Sequence, residues 1–370
     1  MKALEAGGEF ALAHVKLVDY RLPLRRPLET ARVRIGARDG VLLGLVDGDG
    51  FSGWGEAAPF PGFHAETAAD CRRSLAAALG PGLETRPASA WLGEAEARLA
   101  GRPAARAALD GALHDLVARR EGRSLASLLA PPGVAPRHSV AVNALVSADA
   151  PEQAGKAARE ALESGFRTVK LKLRDDGRDL ERVDAVRRAL GPEPALRLDA
   201  NGAWDEIGAL RAAERLAAFD VAYIEQPLAP GRPEALARLR HRSAVAIAAD
   251  EDAVDAGSVE RLIALRAVDW LVLKPSACGG VGRALALSRR AADAGIGVVV
   301  TSLIEGAVGR ATALQLAAAL DPAPPACGLA TGAWLTRDLA SGPEPRGGQL
   351  ALPPGSGIGV APAEVEAWIG

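Results

Sequence analysis

The stretch Thr168-Val-Lys-Leu-Lys-Leu173 sets two lysines inside an apolar run, and Trp270-Leu-Val-Leu-Lys-Pro275 repeats the device with Lys274. Both runs have the length and apolar content of buried strands. The chain has 44 Lys+Arg, of which six are lysine and 38 arginine. Arginine serves wherever charge alone is needed, because it stays protonated at working pH. A lysine in a low-dielectric pocket can lose its proton. Half of the lysines in two apolar strands therefore point to proton chemistry.

Outward from these runs the chain keeps a regular rhythm. Strand-like runs fall near 140–146, 169–173, 196–199, 221–225, 245–249, 270–273, 298–301 and 326–330, with alanine-rich helical stretches between them. Eight strands alternating with helices predict an α/β fold of the parallel (β/α) barrel type. An open doubly wound sheet is the competing arrangement, but no GxGxxG or Walker-type loop supports it. Before the barrel, residues 1–135 read as α+β. Strand-like stretches from His14 to Arg34 are broken by Pro23 and Pro27, and Gly40–Gly48 is a strand ending in the turn cluster Asp47-Gly-Asp-Gly50. Residues 65–80 and 103–120 read as helices, the second with Ala105, Leu109, Leu113 and Leu116 on one stripe. Pro131–Pro136 reads as a linker into a barrel over 136–340. The tail, 341–370, is loop-like, with a short strand at Gln349–Pro353.

Composition narrows the function classes. At 370 residues, with 49% hydrophobic and 24% charged residues, the chain can bury a sizeable core and exceeds one ordinary domain. A net charge of −2 and the lack of a basic stripe give no electrostatic case for nucleic acid or an anionic membrane. No apolar run approaches the roughly 18 residues of a membrane span, and Met1–Phe10 has no apolar signal core. Cys71, Cys278 and Cys327 are far apart with no CxxC, so a reduced, cytoplasmic protein is expected. The expected partner is a small-molecule carboxylate substrate, with no nucleic acid and no membrane. Assembly into a homo-oligomer stays open.

The strand ends carry the chemistry. Lys172, Asp199, Glu225, Asp250 and Lys274 close successive strands at intervals matching the repeat, which puts them at equivalent places on one barrel rim. A single carboxylate there is commonly solvated or caps the next helix; three in phase, flanked by lysine strands, read as a set. Three hard oxygen ligands suit Mg2+, and no His or Cys joins them as zinc would want. Lys170 and Lys172 share one face of their strand. Their mutual repulsion is expected to lower the pKa of at least one and supply a base. Mg2+ on carboxylate oxygens with a lysine base is the equipment for removing a proton α to a carboxylate.

These pieces resemble the muconate-lactonising-enzyme subgroup of the enolase superfamily. The matching motifs are Val169-Lys-Leu-Lys-Leu173, Leu198-Asp-Ala-Asn-Gly-Ala-Trp204, Tyr223-Ile-Glu-Gln-Pro227, Ile247-Ala-Ala-Asp-Glu251 and Leu273-Lys-Pro275, with Gly53-Trp-Gly-Glu-Ala-Ala-Pro59 and Ala105–Leu116 in the first half. The resemblance implies an N-terminal α+β capping domain over a (β/α)7β TIM-like barrel, with the tail returning to the cap. It implies Asp199, Glu225 and Asp250 as Mg2+ ligands, Lys172 as the base, Lys274 as the opposing lysine and Lys170 as their neighbour. Asn201 and Glu251 would give polar support. Cap loops near Arg25–Thr30 and Phe60–Phe63 would close over the substrate, with Arg26, Phe60, Asn201 and Ser302 as its contacts.

Within the subgroup, Val140–Ala144, Val300–Gly309 and Ala326–Gly332 are similar to o-succinylbenzoate synthases, which implies a dehydratase of menaquinone synthesis. Leu303 and Gly306 depart from the small or hydroxyl residues common there. A racemase or epimerase of N-acylamino acids or dipeptides, or a cycloisomerase, is the alternative. Gly328–Trp334 lacks the acids by which dipeptide epimerases grip a substrate ammonium. A non-catalytic descendant would not need lysines on both faces, and a Schiff-base aldolase would not need three carboxylates. The five histidines read as structural or exposed, with His64, in a cap loop, keeping a small chance of substrate contact, and Ser302 and Glu305 divide evenly between capping and substrate contact.

Overall fold

A computed structural model describes residues 10–29, 34–80 and 87–369; residues 1–9 of the N-terminal stretch and Thr30 of the first cap loop lie outside them. The chain begins with an antiparallel sheet of β1 (Leu12–Glu29), β2 (Arg34–Asp47) and β3 (Ser52–Ala57). Asp47 Oδ1 accepts from the amides of Asp49 and Phe51 at 3.0 and 2.9 Å, so the Asp-Gly cluster closes the β2–β3 hairpin as the sequence predicts. Helices α1 (Ala68–Ala78), α2 (Ala88–Arg98), α3 (Pro103–Arg120) and α4 (Leu125–Leu129) follow. Thr67 and Asp70 form a capping box at the start of α1. Nearly every residue of α3 from Ala104 to Ala118 is buried, because the sheet covers one side and the barrel the other. Gly55 makes this possible: a Cβ there would strike the Ala108 carbonyl, so only glycine lets β3 lie against the helix backbone.

The barrel has seven hydrogen-bonded parallel strands in chain order. They are β5 (Ala144–Val146), β6 (Thr168–Lys172), β7 (Ala195–Asp199), β8 (Val221–Glu225), β9 (Ile247–Ala249), β10 (Trp270–Leu273) and β11 (Gly297–Val300). Helices α5 (Pro151–Glu163), α6 (Asp179–Leu190), α7 (Glu206–Leu216), α8 (Pro233–Arg242), α9 (Ala256–Ala264), α10 (Pro275–Cys278), α11 (Val281–Asp293) and α12 (Ala307–Ala319) alternate with them. In β6, Val169 and Leu171 are fully buried on the outer face, which turns Lys170 and Lys172 inward.

The ring closes differently from the sequence expectation at two places. The run 140–146 is split. Strand β4 (Ser139–Ala141) pairs antiparallel with β12 (Gln349–Ala351) of the tail, and only β5 joins the barrel. The eighth position, 326–330, is a pair of single bridges, Val142 to Cys327 and Thr301 to Gly328. Cys327 N donates to Ala141 O at 2.7 Å and Gly328 N to Val300 O at 2.9 Å, which ties the first strand to the seventh. Pro324 and Pro325 offer no amide donors upstream, and Arg197 claims the Ala326 carbonyl at 2.6 Å, so no longer ladder forms. Below the rim, Tyr223, Ala248, Val272 and Val299 pack the barrel floor, with the Arg197 guanidinium 5.0 Å from the Tyr223 ring centre.

The tail ends in α13 (Pro362–Ile369), which lies on the first sheet. Glu366 pairs with Lys16 at 3.3 Å, and Trp368 meets Tyr20 edge-on at 6.4 Å. No helix among the described residues is long and apolar enough to cross a membrane.

Candidate active site

Strand register brings the charged residues together. Lys172 pairs with Asp199 across β6 and β7, and Asp199 with Glu225 across β7 and β8. Asp250 directly follows β9, and Lys274 directly follows β10. All five therefore stand at the C-terminal ends of barrel strands. Asp199 is 2% exposed, Glu225 1% and Lys274 5%, so this is a desolvated cluster.

Lys170 bridges two of the carboxylates, with Nζ 2.9 Å from Asp199 Oδ2 and 2.6 Å from Glu225 Oε1. Burial opposes its charge, but Asp199 and Glu225 outweigh burial and hold the ammonium well above the usual lysine range. The expectation that repulsion within the lysine pair would lower its pKa is not met at Lys170, because two carboxylates lie within ion-pair distance of its ammonium. Lys172 is more open. Its Nζ lies 3.0 Å from Asn201 Oδ1 and 3.7 Å from Asp199 Oδ2. Asn201 is held in the left-handed region, with φ 47°, and its amide donates to Asp199 Oδ1 at 3.1 Å.

Across the ring, Lys274 meets Asp250 as an ion pair without a well-formed hydrogen bond. Its Nζ lies 4.4 Å from the centre of the Phe63 ring. Burial pushes this ammonium down to about 7. Burial likewise pushes Glu251 up to about 7, reinforced by Asp199, and its buried Oε2 has no hydrogen-bond partner.

The cap loop comes within reach through aromatic contacts. Phe60 is buried and packs edge-on against Phe63 at 6.1 Å. Ser302 ends the seventh-strand segment, and its Oγ shares a 2.6 Å hydrogen bond with Thr331 Oγ1. Arg26 stands apart. It is exposed on β1, where the register breaks between Pro23 and Leu28, and no hydrogen bond or ion pair among the described residues ties it to the cluster. Glu305 accepts from Ser276 Oγ at 2.6 Å and from Leu303 N at 2.7 Å, so its bonds are internal ones. Two surface clefts, of about 640 Å³ beside β1 and α1 and about 320 Å³ beside α11, contain none of the strand-end residues.

Sequence reasoning named Phe63 only as the end of a closing cap loop and His64 only as a cap-loop residue with a chance of substrate contact, and tied neither to Lys274 or Ser276. His64 takes the Phe60 amide on Nδ1 at 2.9 Å and reaches the Ser276 carbonyl with Nε2 at 3.2 Å, which fixes the neutral tautomer with the proton on Nε2. Burial lowers its pKa, in keeping with that state. Gln226 was legible only as part of a motif.

Among the described residues no three Asp, Glu, His or Cys side chains meet as a ready metal cage, because Lys170 and Lys274 lie against the carboxylate oxygens. The donor set nonetheless fits Mg2+. Asp199, Glu225, Asp250 and Glu251 are all oxygen donors, four carboxyl groups against three ammonium groups, and Glu251 Oε2 is buried and unpartnered. A cation would relieve that excess of negative charge.

A family model described as "Enolase C-terminal domain-like" matches residues 153–366, and one described as "Mandelate racemase / muconate lactonizing enzyme, N-terminal domain" matches residues 12–130. An o-succinylbenzoate synthase of Thermobifida fusca (strain YX) is 44% identical over 211 residues, 56% of this chain and 64% of that protein, less than two thirds of its length. A chloromuconate cycloisomerase of Cupriavidus necator is 33% identical over 350 residues, 92% of this chain and 93% of that protein. The solved structure of a dipeptide epimerase from Methylococcus capsulatus, complexed with Mg and the dipeptide L-Arg-D-Lys, superposes with a TM-score of 0.86 at 31% identity, over 95% of this chain and 99% of that one.

Proposed function

Because the chain belongs to the mandelate racemase / muconate lactonizing enzyme family of the enolase superfamily, we propose that it is a Mg2+-dependent lyase that removes a proton α to a carboxylate, an o-succinylbenzoate synthase acting in menaquinone synthesis. What supports this most is the placement of two lysines. Lys172 ends the second position of an eight-position ring and Lys274 follows the sixth, so the two stand on opposite sides of the rim. A planar anion formed between them would have an amine on each face.

Asp199, Glu225 and Asp250 would hold the metal, and Mg2+ when bound stabilises negative charge developing on carboxylate oxygens. Asn201 orients Lys172 through its 3.0 Å contact. Lys172 takes the α proton as the C–H bond breaks. The same group, now an ammonium, returns that proton to the departing hydroxyl as the C–O bond breaks on the same face. Water leaves and the ring becomes aromatic, so atoms balance without a further reactant. Lys274, wedged between Asp250 and the Phe63 ring, supplies positive charge opposite. Lys170 stays charged and holds two carboxylates in place. The absence of any acid in Gly328–Trp334 speaks for a substrate without an ammonium group.

The test is turnover. The protein with Mg2+ and the hydroxylated cyclohexadiene carboxylate should give the aromatic product, and a chelator should stop it. A second reading follows from the same two lysines, since one on each face also suits epimerisation, as in the Methylococcus dipeptide epimerase. Exchange of the α proton of a dipeptide or N-acylamino acid in deuterated water, without aromatisation of the cyclohexadiene, would move the assignment there.

A further inference from the structure

Two charged side chains buried in the first sheet take no part in the proposed chemistry. Arg38, on β2 and 2% exposed, donates to three backbone carbonyls: Ala58 at 2.8 Å, Pro59 at 2.9 Å and Ile304 at 3.2 Å. Its guanidinium lies 4.8 Å from the centre of the Phe60 ring. Glu56, on β3, accepts from the amides of Gly306 and Gly309, both at 2.7 Å, and from Tyr20 Oη at 2.5 Å. Gly306 is the N-cap of α12, so a carboxylate from the first sheet caps a barrel helix.

Between these two grips lies Ile304 at φ 60°. A β-branched residue in the left-handed region is strained and persists only where its surroundings impose it. Arg38 holds the Ile304 carbonyl on one side, and Glu56 holds the Gly306 amide on the other. The intervening Glu305 binds Ser276 Oγ, and Ser276 is two residues past Lys274. The Ser276 carbonyl is the group that His64 reaches, and His64 takes the Phe60 amide. The contacts thus form a closed circuit: Arg38, the 58–60 backbone, His64, Ser276, Glu305, Ile304 and Arg38 again.

We propose that Arg38 and Glu56 are positioning residues for the active site: they fix the loop Ser302–Gly306 against the cap loop 58–64 and, through Ser276, set where Lys274 stands. A guanidinium is required because its planar fork serves three carbonyls at once, which an ammonium on a flexible stem cannot do. The activity arm of the test rests on the function proposed above; the exchange arm does not.

The experiment uses the full chain with Arg38→Lys, Glu56→Gln and Ile304→Gly. Amide hydrogen exchange is followed by mass spectrometry, Mg2+ affinity by calorimetric titration and turnover by product formation. Arg38→Lys keeps the charge and should speed exchange about tenfold in peptides covering 58–64, 274–276 and 302–309, leave β6 to β8 unchanged, and lower kcat about tenfold with Mg2+ affinity intact. Ile304→Gly keeps the left-handed turn accessible but frees the backbone at 304, so it should loosen the 302–309 peptide in a folded protein even where Arg38→Lys fails to fold. Unchanged exchange in both loops, acceleration spread evenly through the barrel, or faster loops with unchanged kcat would each overturn the proposal. If the wild type turns over none of the substrates above, the functional reading fails, and exchange confined to the three peptides still upholds the positioning.

Discussion

Lys170 Nζ lies 2.6 Å from Glu225 Oε1, inside a cluster that water scarcely reaches. Lys172, two residues on and facing the same way, makes its 3.0 Å contact to a neutral amide. In the proposed mechanism the two lysines of one strand are thus divided between holding charge and moving protons. Lys170→Met leaves two buried carboxylates without their cation, which should cost about 3–5 kcal/mol in chelator and less with Mg2+ present. Lys172→Met, at a more open position, should cost under about 1 kcal/mol while slowing turnover about 10²–10⁴-fold. Denaturant unfolding with and without Mg2+, beside the turnover assay, separates them. Equal stability losses in both variants would remove the division.

Glu56 gives the fold a pH dependence of definite sign. Burial raises its carboxyl from 4.5 to about 7, against three hydrogen-bond donors that favour the charge. Between those values the folded protein keeps a proton that the unfolded chain has lost. The stability this group contributes is therefore full below about pH 4.5 and is lost as pH rises through 7, by at most about 3 kcal/mol. Unfolding curves at pH 5, 6.5 and 8 should show this fall in the wild type and not in Glu56→Gln. Identical pH slopes in the two proteins would contradict it.

Gly280 sets how closely α3 docks on the barrel. Its φ is 127°, and a Cβ there would overlap the Asp110 carboxyl, which accepts from Gly282 N at 3.0 Å. Arg106 of the same helix donates to the Gly279 carbonyl. Gly280→Ala should cost about 3 kcal/mol, part from backbone strain and part from overlap. Adding Asp110→Ala removes the overlap and leaves the strain, so thermal unfolding of the double variant should recover only part of the loss. A Gly280→Ala protein as stable as the wild type would show that the helix has room to shift.

The barrel was legible because its information is local and repeated. Each strand is a short apolar run, and each carries its chemical group at the same terminal place, so the spacing of Asp199, Glu225 and Asp250 needed no tertiary knowledge. The departures are places where local pattern lost to a distant partner. The run 140–146 reads as one strand, yet the tail strand takes its first half. Residues 326–330 read as the eighth strand, yet the Arg197 side chain competes for a carbonyl there. Alternation alone left Lys170 and Lys172 equivalent, because it assigns a face and not a partner on the next strand; only the family resemblance set Lys172 apart as the base and Lys170 as its neighbour. Arg38 and Glu56 were hidden for a stronger reason. Their partners, Ile304 and Gly306, lie in another part of the chain, and a buried charge satisfied by backbone leaves no complementary side chain to recognise in the sequence. His64 stood out among the five histidines only by its place in a cap loop, and its partner Ser276 lies in another part of the chain.

Gln226 bears on the proposed metal site from behind. It follows Glu225 directly, is fully buried, and sits at φ 38°, a region costly for its side chain. Its Oε1 accepts from the amides of Asp250 at 3.0 Å and Asp252 at 3.3 Å, while Nε2 donates to Leu228 O at 2.9 Å and Asp252 Oδ2 at 2.8 Å. One amide side chain thus uses both its acceptor and its donors to join the ends of β8 and β9, from which Glu225 and Asp250 project. Gln226→Leu fills the space but leaves those backbone amides unmet. Gln226→Glu can still accept from them, yet it cannot donate to Leu228 and repels Asp252. Both variants should weaken Mg2+ binding about tenfold or more in a calorimetric titration, as loss of supporting hydrogen bonds does at metal sites, and should shrink the rise in unfolding temperature that added Mg2+ produces. Asn201 provides the control on the neighbouring strand. Asn201→Ala removes the contact to Lys172 without touching this bracket, so it should slow turnover while leaving Mg2+ affinity near the wild-type value. Folded Gln226 variants that bind Mg2+ as tightly as the wild type would show that Glu225 and Asp250 find their places without the bracket, and the left-handed backbone at 226 would then serve the turn alone.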